Sequence, residues 1–125
     1  MKLELLIFVI AFVAPVLFWR VLFWLAREKF DKPFTRTKTG LQVHHGHFGL
    51  LIILIASILV VLGLRNFYVF GFLGLGLGLV FDEFIPSLLM PGNRELELET
   101  YKKSLRGTLA LVLITVLVVL FFIAN

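Results

Sequence analysis

Four long apolar runs, at 3–26, 47–64, 67–90 and 107–124, leave this chain few folds to choose from. A helix rises 1.5 Å per residue, so each run is long enough to cross ~30 Å of hydrocarbon. Composition agrees, because 60% hydrophobic residues and a mean hydropathy of +1.02 are far above what a soluble chain carries. The expectation is an all-α integral membrane protein, a single transmembrane domain of four helices in an antiparallel bundle. The helices fall at about 3–26, 42–64, 67–90 and 107–124, with a short interfacial amphipathic helix at about 94–105. Only Arg65-Asn66 separates the second helix from the third, which predicts a tight hairpin. The first run carries Pro15 and Arg20 and lacks a clear small-residue cleavage site, so it reads as a retained helix rather than a signal peptide.

Basic residues near helix ends are held on the cytoplasmic side. Arg20, Arg27, Lys29, Lys32, Arg36 and Lys38 belong to the end of the first helix and the loop after it. Arg94, Lys102, Lys103 and Arg106 belong to the third connection, and only Lys2 and Arg65 lie on the other side. This asymmetry places a multi-pass protein in the cell membrane with both termini outside and the two longer loops cytoplasmic. The net charge of +4 then orients the chain and meets anionic headgroups, and requires no nucleic acid.

Along the first helix, Pro15 predicts a kink, Trp19 and Trp24 read as interfacial anchors, and Arg20 lies about two turns from the boundary. Snorkelling to the headgroups is the plainer expectation for Arg20, and an inward turn is the alternative. In the third helix Gly71, Gly74 and Gly78 share a stripe that Asp82 continues, as in small-residue packing of membrane helices, with Gly76 off it. The fourth helix, interrupted by Thr108 and Thr115, reads as scaffold. No internal repeat suggests a duplicated transporter.

Chemistry concentrates in two places. Val43 to Gly49 contains all three histidines, and Asp82-Glu83 is the acidic pair of the third helix. Counted from the turn at 65–66, His47 and Asp82 lie at the same depth, ~25–28 Å away, and Arg20 comes to a similar level. Acidic residues cost about 2.5–3.5 kcal/mol each in mid-membrane, less near the interface, so they persist where a partner neutralises them. His44 and His47, three apart, can present two imidazoles to one ion together with Asp82. His45, about 100° round the helix from His44, is the outlying member of that metal set. Nitrogen and oxygen ligands without cysteine suit a divalent transition metal, zinc, iron or manganese. Haem is not expected, since all three histidines lie on one element. The competing expectation is a charge network in which Arg20 and a protonated histidine neutralise the acids.

Three functions follow. The first is a metal-dependent hydrolase or transferase on a membrane-embedded or lipid-linked substrate, with Glu83 as general base and Arg20 steadying an anionic group as the catalytic residues. The second is a cation or proton binding and transport module working as a homo-oligomer, because four helices enclose little pore. The third is a structural or accessory subunit of a membrane complex. The sequence lacks the His-Glu-x-x-His of metalloproteases and the separated histidine boxes of membrane desaturases.

Overall fold

A backbone surrounded by Leu, Ile, Val and Phe has only its own carbonyls to donate to, and the chain answers with helix throughout. The computed structural model describes residues 1–30, 44–89 and 94–125. Its elements are α1 (Lys2–Leu25), a single turn α2 (Arg27–Phe30), α3 (His45–Val61), α4 (Phe67–Leu88), α5 (Arg94–Lys103) and α6 (Leu105–Ala124), with no strand among the described residues. Three of them, α1, α4 and α6, are long and apolar enough to cross a membrane. The remaining apolar helix, α3, has 17 residues, ~25 Å of rise.

Local chemistry sets the limits of α3. At its start His44 takes an extended backbone (φ −104°, ψ 160°), and its backbone N–H donates to Nδ1 of His47 at 3.0 Å. The expected start near residue 42 falls outside the described residues. At its end Gly63 takes the left-handed φ of +87° that glycine adopts without penalty, and the Leu64 N–H reaches back to the Leu59 carbonyl at 3.0 Å. Helix α3 therefore stops at Val61, short of the expected residue 64. Asn66 then caps α4, its side-chain oxygen accepting from the N–H groups of Tyr68 and Val69 at 3.1 Å each.

Helix α4 is the element the others pack on. Its Gly74 lies against the backbone of Phe8 and its Gly78 against Phe12 and Pro15, so α1 approaches at backbone distance along this face. Gly76 faces another helix, where a methyl in its place would meet the Gly49 carbonyl at 2.9 Å. Gly76 is off the Gly71, Gly74 and Gly78 stripe, but that stripe is not the whole contact surface, because α4 is buried on two sides and uses glycines on both. Gly71 is the looser one, with its nearest neighbour, an Ile7 methyl, at 3.4 Å. Phe8, Phe12, Val16 and Val112 make the core, with the Phe12 ring edge-on to Phe81 at 5.1 Å. The outward side chains of α3 and α6, among them Leu54, Ile58, Leu113 and Leu117, are exposed apolar surface.

Candidate functional site: a buried ion cluster centred on Asp82

The packing of Gly78 on Phe12 and Pro15 holds α1 close to α4 one turn before Asp82. Two turns beyond Phe12, Arg20 faces that carboxylate. Arg20 turns inward, correcting the snorkelling expectation. Its Nε donates to Oδ1 of Asp82 at 2.6 Å, with the guanidinium side chain 9% exposed and the carboxylate fully buried. A second bond depends on proline. In a regular helix the Asp82 carbonyl accepts from the N–H four residues on, but that residue is Pro86, which has none. Nη2 of Arg20 donates to the orphaned carbonyl at 3.0 Å.

The same guanidinium ties α5 and α6 to the pair. Nη1 donates to the Tyr101 carbonyl at 2.6 Å and Nη2 to the Thr108 hydroxyl at 3.0 Å, while the Ser104 hydroxyl lies 3.3–3.4 Å from both nitrogens. Its carbon centre lies 3.8 Å from the centroid of the Tyr101 ring, a cation–π contact. The Tyr101 hydroxyl donates to Oδ2 of Asp82 at 2.5 Å. Burial, followed by the nearby Asp82 charge, raises the Tyr101 phenol well above its usual range despite the opposing Arg20, so it stays a donor.

On the other side of Asp82 stands His45. Its Nε2 is 3.0 Å from Oδ2 of Asp82 and its Nδ1 is 3.2 Å from Oε1 of Glu83. Trp19 lies flat against the imidazole, centroids 4.6 Å apart at 10°, rather than acting as a free interfacial anchor. His44 reaches Glu83 more loosely, with Nδ1 at 3.5 Å from Oε1. His47 turns away to the start of its own helix, where its Nδ1 is engaged by the His44 backbone. The histidine that meets Asp82 is therefore His45, because helix begins at His45 and not before.

Among the described residues no group of three or more His, Asp and Glu side chains is disposed to hold a metal ion. The reason is visible at Asp82, whose two oxygens are engaged by Arg20, His45 and Tyr101, with a fixed cation against one of them. Arg20 and Tyr101 already engage the Asp82 oxygens, and the His45 ring bridges the two carboxylates. Ionised carboxylates only accept, and a neutral imidazole has one N–H to offer, so one of the two His45 contacts lacks its hydrogen until a further proton is bound. In charge terms, one guanidinium against two ionised carboxylates leaves the cluster one positive charge short of neutral, the charge that a single added proton carries.

Tyr101, Ser104 and Thr108 belong to the site, and the sequence reading placed none of them there. No protein-family model matches the chain, and no curated protein or solved structure resembles it at a significant level.

Proposed function

We propose that this protein is a proton-binding membrane module, in which Glu83 and His45 exchange a proton with the surface while a buried, fixed Arg20–Asp82 pair holds the imidazole in place. The observation that carries the reading is the placement of His45, each ring nitrogen against a different carboxylate, one partly exposed (Glu83, 18%) and the other fully buried. Chains of Asp, Glu and His within membrane segments are the usual parts of proton relays. The roles divide by surroundings. Arg20, Tyr101 and Thr108 hold Asp82 in one place, Trp19 holds the imidazole plane, and Glu83 with His44 forms the side open to exchange.

The reading takes α3 as a fourth membrane span, giving an antiparallel four-helix bundle with a hairpin at Arg65-Asn66. Both termini are outside and the ion cluster lies near the cytoplasmic face, in keeping with the concentration of basic residues at that end. Transport across the full bilayer would use an oligomer, since one bundle encloses little pore. A second reading, a structural subunit stapled by the cluster, draws on the four residues that Arg20 gathers from α4, α5, α6 and the Ser104 junction.

The test is proton flux into liposomes containing the purified protein and a trapped pH-sensitive dye. Wild type is expected to dissipate an imposed pH gradient faster than protein-free vesicles, and His45→Ala and Glu83→Gln to abolish that difference while remaining folded. Equal flux from all three proteins, or none above the protein-free rate from wild type, leaves the structural reading in its place.

A further inference from the structure

The elbow between α5 and α6 presents a second charged feature, made of side chains outside the Asp82 cluster. A cleft of about 580 Å³ opens there, lined by Arg27, Glu99, Lys102, Lys103, Leu105 and Arg106. Four cations face a single acid, and that acid is already paired, with the Lys103 ammonium 2.8 Å from the Glu99 carboxylate. The cationic side chains next to Glu99 hold its carboxyl below the usual range, Lys103 contributing most. Among the described residues Lys102, Arg27 and Arg106 have no ion-paired acid in the cleft, and a concave cationic surface of this kind is built for an anion with several oxygens.

The wall of the cleft distinguishes among anions. Leu105 is 39% exposed, and Leu109 and Leu113 follow it at four-residue spacing, 44% and 58% exposed, so an apolar strip runs from the cationic cup along α6. Helix α6 is one of the segments long and apolar enough to span a bilayer. A cationic cup joined to an apolar strip matches an amphiphile with a phosphate at one end and a hydrocarbon chain at the other.

We propose that this cleft binds the phosphate headgroup of an anionic membrane lipid, whose acyl chain lies along Leu105, Leu109 and Leu113. Arg27 and Arg106 grip the phosphate oxygens from opposite sides, Lys102 adds a point charge, and Lys103 stays bound to Glu99. The site is independent of the proton cluster, as it shares none of its side chains.

Native mass spectrometry of the full chain in detergent, titrated separately with dioleoylphosphatidylglycerol, dioleoylphosphatidylcholine and inorganic phosphate, tests the assignment. Wild type is expected to retain phosphatidylglycerol in preference to phosphatidylcholine. The combined variant Lys102→Gln, Lys103→Gln, Arg106→Gln should weaken phosphatidylglycerol binding on the order of a hundredfold. Arg27→Gln, on a different helix, should weaken it roughly fivefold, so the test survives misfolding of the triple variant. Arg65→Gln, at the opposite end, should leave it unchanged. The proposal is overturned by equal lipid binding in wild type and Arg27→Gln, by an equal loss from Arg65→Gln, or by displacement of the lipid with inorganic phosphate, which would assign the cleft to a soluble phosphate.

Discussion

Asp82 and Glu83 are neighbours in sequence with the same chemistry, yet the fold treats them oppositely. Asp82 is fully buried, receives hydrogen bonds from Arg20 of α1 and Tyr101 of α5, and lies 3.0 Å from the His45 ring of α3. Glu83 keeps 18% of its side chain exposed, and its ionic partners among the described residues are the imidazoles of His44 and His45, at 3.5 and 3.2 Å. One step along a helix turns a side chain by about 100°, and that turn separates a carboxylate tied to Arg20 from one left part-exposed beside two imidazoles. The buried carboxylate is held by a guanidinium and a phenol, whereas the part-exposed one has imidazole contacts alone among the described residues.

The largest expected effect lies on the Asp82 side. Arg20→Ala strands a buried carboxylate together with the proline-orphaned carbonyl, and should cost about 3–5 kcal/mol of unfolding free energy in detergent. The double variant Arg20→Leu, Asp82→Leu should recover much of that loss, because two apolar side chains need no partner. A double variant no more stable than Arg20→Ala would mean that the pair does not hold the two helices as described.

Next in size is the seam that brings Arg20 within reach. A methyl at Gly78 would run into the Phe12 carbonyl and Pro15, so Gly78→Ala should cost about 1–3 kcal/mol, while Gly71→Ala, with 3.4 Å of room, should be close to neutral. Equal melting temperatures for the two variants would remove the glycine seam from the account.

Tyr101→Phe should cost about 1.5–2 kcal/mol, the loss of one hydrogen bond to a charged group. The phenol adds a pH signature. Its folded-state value is raised, so the folded protein holds that proton more tightly than the unfolded chain, whose tyrosine titrates near ~10. The stabilisation is therefore whole below that pH and shrinks as pH rises past it. In a Tyr68→Phe background, absorbance at alkaline pH should show no phenolate at the ordinary value, and ionisation there would show that Tyr101 is not engaged as described. The smallest effect belongs to Glu83→Gln, below ~1 kcal/mol, since a part-exposed carboxylate beside histidine contributes little to stability. A loss as large as that of Arg20→Ala would erase the contrast between the two acids.

The apolar helices and the common depth of Arg20 and Asp82 were legible from hydropathy and helical rise, because both depend on residue counts within single elements. The identity of the engaged histidine was not. It follows from the extended backbone of His44, which starts the helix at His45 and rotates His47 off the site, and apolar periodicity carries no trace of that local choice. Tyr101, Ser104 and Thr108 were hidden for a related reason. They meet Arg20 only because α5 and α6 change over at Ser104, which turns an amphipathic helix and the start of an apolar one toward the same guanidinium. The carbonyl freed by Pro86 was readable in principle, as proline four residues after an acid marks an orphaned acceptor.

The most direct measurement is the ¹⁵N NMR spectrum of His45 in bilayers, with His44 and His47 replaced by Gln to isolate the signal. The account predicts a hydrogen on Nε2 directed at Asp82, and an Nδ1 signal that Glu83→Gln alters while Asp82 remains paired with Arg20. A His45 without a hydrogen on Nε2, or an Nδ1 signal indifferent to Glu83→Gln, would contradict the placement on which the proton-binding reading rests.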